Sequence, residues 1–144
     1  MKITLNSKTD KLHEISNNAD CIFKLNDKDM NSILYKRYIT KEMRIVKFEL
    51  ENDISFNHYK RLNLIINWSI DSIDGRGKYV LATFSITKRH IEFINHSTKE
   101  FSKLTTIGES MNVIGIRIED ENGNLVDLNG KDYVIILEIR EVKK

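Results

Sequence analysis

The clearest pattern in the chain lies in residues 111–142, where two alternating runs are joined by a short polar loop. Ile114, Ile116 and Ile118 share one face, with Val113, Gly115, Arg117 and Glu119 on the other, the period of two that a half-buried strand requires. Asp120, Glu121, Asn122 and Gly123 then predict a turn, because Asn and Gly tolerate positive φ, and residues 118–125 are expected to form a hairpin connection. In the last run Tyr133, Ile135, Leu137 and Ile139 lie on one face, with Glu138 and Arg140 on the other.

The same period recurs upstream. Ile3 and Leu5 predict a short first strand, and Cys21, Phe23 and Leu25 a second over residues 20–25. Residues 26–29, Asn-Asp-Lys-Asp, are either a turn or the cap of a short helix through Tyr38, in which Met30, Ile33, Leu34 and Arg37 would form a poor stripe. Residues 44–50 predict a strand with Val46, Phe48 and Leu50 inward. Leu62, Leu64, Ile66, Trp68 and Ile70 form the longest alternating face and are expected in a central strand. Asp74-Gly75-Arg76-Gly77 predicts a turn, from which Val80, Ala82, Phe84 and Ile86 return antiparallel. A shorter strand is expected over residues 88–94 and a loop over 101–109. About eight antiparallel strands at this spacing predict an all-β sandwich or barrel in a single domain, residues 1–144.

Composition narrows the picture mainly by exclusion. With 23 basic and 21 acidic side chains the net charge is +2, too balanced to argue alone for nucleic acid or a membrane surface. The single cysteine, Cys21, has no internal partner for a disulfide. No long apolar run occurs, so neither a signal peptide nor a membrane span is expected. Proline is absent, which removes one device that protects strand edges; edges must be blunted by Lys and Glu or used for assembly.

The two ends of the chain carry a resemblance. The opening Lys2-Ile-Thr-Leu-Asn-Ser-Lys-Thr-Asp10, then Ile15-Ser-Asn-Asn-Ala-Asp20 and Cys21-Ile-Phe-Lys-Leu25, resembles the start of jelly-roll capsid proteins of adintoviruses, Polinton elements and virophage-like viruses, although Asn6 stands where that family usually has proline. The closing Ile114-Gly-Ile-Arg-Ile118, Glu119-Asp-Glu-Asn-Gly-Asn-Leu125 and Val134-Ile-Ile-Leu-Glu-Ile-Arg140 is similar to the family's end. The resemblance implies a single jelly-roll β-sandwich in a virion: a penton or vertex protein, or a minor capsid or cement protein. It also implies a homo-oligomer, a pentamer foremost, in contact with the major capsid protein. Such a protein is made in the host cytoplasm or nucleus and is not secreted.

Candidate chemistry is sparse. His13, His58, His90 and His96 are read as surface residues, because zinc needs three or four ligands at defined spacing. Asp120, Asn122 and Asn124 fail the order of a calcium loop and are read as turn residues. Alternation places Cys21 beside Phe23 and Leu25 as a small buried residue. No nucleophile, base and orienting group can be assembled, so no catalytic residue, metal or cofactor is expected and the protein is read as a non-enzyme.

Ile45, Ile65 and Leu81 lie opposite the faces assigned inward and are the candidate interface residues. The alternative is a β-sandwich or OB-like module binding nucleic acid or a glycan. Its nucleic-acid candidates are Arg37, Tyr59, Lys60 and Arg61 from two Tyr-Lys-Arg triplets, with Lys88 and Arg89. Solvated surface faces are the plainer reading of these clusters, and nucleic acid is the weaker expectation for a partner.

Overall fold

A computed structural model describes residues 1–12, 17–34, 39–50, 59–68, 70–71, 73–86, 91–93, 101–104 and 113–142. Among these are nine strands: β1 (Lys2–Asn6), β2 (Asp20–Lys24), β3 (Lys41–Leu50), β4 (Arg61–Ile66), β5 (Val80–Ile86), β6 (Ile91–Phe93), β7 (Ser102–Lys103), β8 (Val113–Glu119) and β9 (Tyr133–Glu141). One helix, α1 (Asp27–Leu34), follows β2. The strands form two antiparallel sheets, ordered β1-β9-β3-β7 and β2-β8-β4-β5-β6.

The sheets face each other because each presents an apolar face that only the other can cover. Ile3, Leu5, Met43, Ile45, Tyr133, Ile135, Leu137 and Ile139 meet Cys21, Phe23, Leu62, Leu64, Ile66, Phe84, Ile114, Ile116 and Ile118 in one core. Aromatic rings cross the interior: Phe48 lies 4.6 Å from Phe84, and Phe23 meets Tyr133 edge-on at 6.3 Å. Leu62, Leu64, Ile66, Trp68 and Ile70 are all buried, as their alternation requires. Trp68 satisfies its indole by donating Nε1–H to the Val113 carbonyl at 2.9 Å. α1 begins where Asn26 Oδ1 accepts the Asp29 N–H at 2.7 Å, an N-cap, and docks through Ile33 and Met30.

The predicted turn after β8 forms. Asp120 Oδ1 accepts the N–H groups of Asn122 and Asn124, both at 2.9 Å, and Glu119 bridges Leu125. Gly123 has φ 83°, and the Arg76 guanidinium comes within 2.8 Å of the position a Cβ would occupy, so a side chain there would meet both strain and a neighbour. The two long runs that this turn separates do not pair, however. β8 lies in the five-stranded sheet and β9 in the four-stranded one, and the chain crosses between sheets through residues 126–132. Residues 102–103, expected in a loop, form the short strand β7 against β3.

Two β-bulges change which residues face outward. In β3 the register shifts between Ile45 and Lys47, so Val46 is the extra residue. Met43 and Ile45 therefore point into the core before it, Phe48 and Leu50 after it, and Ile45 is only 4% exposed. In β5 the pairing moves from Leu64↔Ala82 to Ile65↔Val80, which leaves Leu81 as the extra residue, packed half-buried against the core. Ile45 is therefore part of the core, while Leu81 keeps part of its surface exposed. Ile65 does lie on the outer face, opposite Arg117, but its neighbours leave it only 7% exposed.

Candidate functional site

Three regions gather polar or exposed groups. The first is the outer face of the five-stranded sheet. Its centre is Glu119, buried at the end of β8, which accepts Lys78 Nζ–H at 2.7 Å and Arg117 Nε–H at 3.2 Å. Arg117 reaches on to Asp20 at 3.0 Å, and Asn63 accepts the Thr83 hydroxyl at 2.9 Å. Beside this row a groove of about 220 Å³ is lined by Ile22, Ile65, Asn67 and Gly115, with Asp20 and Arg117 at its rim. Gly115 creates the depression, because its missing side chain lets Asn67 fold over it and take its N–H onto Oδ1 at 2.7 Å. Ile22, 43% exposed, and Leu12, 44% exposed, stand next to each other, since Leu12 N–H donates to the Ile22 carbonyl at 2.7 Å.

The second region is one end of the molecule, where residues 7–12 and 17–19 meet residues 126–133. Ser7 is fully buried, donates to Asp132 Oδ1 at 3.1 Å and accepts the Tyr133 N–H at 2.9 Å. Asn18 Nδ2 donates to the Lys131 carbonyl and to Asp132, both at 2.9 Å, and Lys11 Nζ donates to Asn18 Oδ1 at 3.2 Å. Cys21 lies beneath this network. Burial pushes its thiol pKa up, against smaller opposing effects that include the Lys11 charge. Burial likewise raises the Tyr133 phenol, whose Oη has no nitrogen or oxygen partner and only the Cys21 sulfur, a weak one, within its reach. A protonated thiol sealed from solvent is a poor nucleophile, and the network around it ties the loops together.

The third region is the Tyr59-Lys60-Arg61 segment, the one basic cluster of the sequence among the described residues. Arg37, Lys88 and Arg89 lie outside the described residues, as do all four histidines. Tyr59 packs against the core, and its Oη accepts the Asp127 N–H at 3.0 Å, so its ring is committed to the loop of residues 120–132. Lys60 and Arg61 are exposed, with the Lys60 N–H directed at Glu121 at 3.4 Å. The structure therefore brings a Lys-Arg pair to the surface, with the neighbouring Tyr59 ring packed against the core. Among the described residues no three His, Cys, Asp or Glu side chains are placed to hold a metal ion. No helix among them is long and apolar enough to cross a membrane.

A fourth feature escaped the sequence patterns. Phe101 is flanked by two guanidiniums, Arg140 at 3.6 Å and Arg44 at 4.5 Å from its ring centre. Those arginines pair with Glu42 at 2.6 Å and Glu138 at 3.2 Å across β3 and β9. Only the pairing of strands distant in sequence assembles this layer. Comparison with protein-family models, with curated proteins and with solved structures gave no match.

Proposed function

We propose that the chain is a structural protein of a virus particle: a single jelly-roll capsid component that assembles with copies of itself and with a major capsid protein, at a vertex or as a minor or cement protein. The observation that carries this reading is the order of strand pairing. With β6 set aside, the pairs β1–β9, β2–β8, β3–β7 and β4–β5 nest one inside the next, as in a long hairpin rolled upon itself. The further pairs β9–β3 and β8–β4 close that roll into two facing sheets. A fold does not fix a function; what moves this one toward a capsid is the resemblance at both termini. The opening and closing segments of that resemblance are also spatial neighbours, with Ile3 opposite Leu137 and Leu5 opposite Ile135.

Self-assembly on this reading works by burying surface, roughly 800 Å² or more per partner in a stable contact. Leu12 and Ile22 take the place of Ile45, Ile65 and Leu81 as the apolar residues on which to test it. The absolute mass from light scattering, across a concentration series at low and moderate salt, is expected to show a discrete oligomer, a pentamer foremost. The double variant Leu12→Lys, Ile22→Lys is expected to keep its far-ultraviolet spectrum and lose that oligomer. A monomeric mass at every concentration would contradict self-assembly and shift weight to a ligand-binding module acting through Lys60 and Arg61.

A further inference from the structure

The four-stranded sheet ends on β1, and the hydrogen bonds around it fix which backbone groups face outward. Met1 and Ile139 exchange bonds at 2.8 and 2.9 Å, and Ser7 N–H donates to the Tyr133 carbonyl at 3.0 Å. In an antiparallel ladder the hydrogen-bonded positions recur every second residue, so Ile3 and Leu5 also bond to β9. Lys2, Thr4 and Asn6 then direct their N–H and C=O groups away from the sheet. Asn6 is closed by its own turn: its N–H donates to Asp10 Oδ2 at 2.9 Å, and its carbonyl accepts from Thr9 at 3.2 Å and Asp10 at 2.8 Å. Lys2 and Thr4 have no such cover, which leaves two donors and two acceptors unpaired among the described residues.

Beside this open edge runs a groove of about 200 Å³, lined by Ile3, Thr4, Leu5, Asp10, Lys24, Leu25, Asn26 and Asp29. A strand added to β1 would form four backbone hydrogen bonds with Lys2 and Thr4. Its residue opposite Ile3 would turn its side chain to the inner face, into the groove. Asp29 is half-buried there and has no ion-pair partner among the described residues; the exposed Lys24 also lines the groove, and the Asp10 carboxylate is already engaged by the Asn6 N–H and the Thr9 hydroxyl, so Asp29 is the uncommitted carboxylate. A Lys or Arg suits that position, with its stem along Leu25 and its charge toward Asp29.

We infer that the open edge of β1 is a strand-addition site for an extended segment of a partner protein, with a basic residue entering the groove at Asp29. The inference does not depend on the capsid reading. Phage-displayed random octapeptides, panned on the full chain, are the probe. Enrichment of alternating sequences with Lys or Arg at one inward position is expected. Thr4→Pro removes an edge donor without touching a bond to β9 and is expected to weaken the best peptide roughly tenfold or more. Asp29→Lys, distant from the ladder, is expected to weaken it by a similar factor, while a Lys→Glu change in the peptide abolishes binding. Failure to enrich any such sequence would overturn the inference, as would binding that survives both variants. An oligomer of the wild-type chain that Thr4→Pro alone dissolves would assign the edge to self-pairing and overturn it equally.

Discussion

Each sheet has one edge strand from the start of the chain, β1 in one and β2 in the other, and the chain treats these two edges differently. The β2 edge is covered from within: Lys11 bridges Phe23, and Leu12 donates to the Ile22 carbonyl at 2.7 Å. Among the described residues the β1 edge is closed at Asn6, by the Asp10 carboxylate, and is open at Lys2 and Thr4. The short excursion through residues 7–12 accounts for both. It folds back to cap the last residue of β1 and then runs along β2. Without proline, edges are blunted by charged residues, by the chain's own backbone or by a partner, and among the described residues the outward groups of Lys2 and Thr4 on β1 lack backbone cover. The difference separates a flank that residues 11–12 partly cover from one whose outward groups at Lys2 and Thr4 are unpaired among the described residues.

The sharpest way to break this comparison is to place proline at adjacent positions of β1. Leu5→Pro removes a donor to β9 and a fully buried side chain, and is expected to cost on the order of 3–5 kcal/mol. Thr4→Pro is expected to change stability by about 1 kcal/mol or less, because its donor faces outward. Urea denaturation of the pair checks this, and equal losses would mean that β1 faces β9 differently. Next in size is Ser7→Ala, which orphans the Tyr133 N–H and one bond to Asp132 at the closed end, at a cost of about 2 kcal/mol by the same measurement. Smallest is Asp10→Ala. It is expected to cost about 0.5–1 kcal/mol and to lengthen the open edge by one residue, seen as faster exchange of the Asn6 amide.

Alternation made β4, β8 and β9 legible because nothing interrupts it: each inward residue named from the pattern there is buried. It failed at Ile45 and Leu81 for one physical reason. A bulge adds a residue and swaps the faces beyond it, and neither Ile45-Val46-Lys47 nor Val80-Leu81-Ala82 carries a glycine to announce it. The turn at residues 120–123 was legible from Asp and Gly, yet the sheet change that follows was not, because local periodicity says nothing about which distant strand becomes the partner. β7, with two residues, is too short to show a period. The open edge of β1 lay beyond reach for a related reason: it is defined by which backbone groups are already paired, and only the three-dimensional arrangement supplies that.

Residue-by-residue amide hydrogen exchange along β1 in the native protein tests the account of the two edges most directly. Slow exchange at Ile3, Leu5 and Ser7, alternating with fast exchange at Lys2 and Thr4 and an intermediate rate at Asn6, is the expected result. Uniform protection from Lys2 to Ser7 would contradict it, since the edge would then be paired already and closed to any partner.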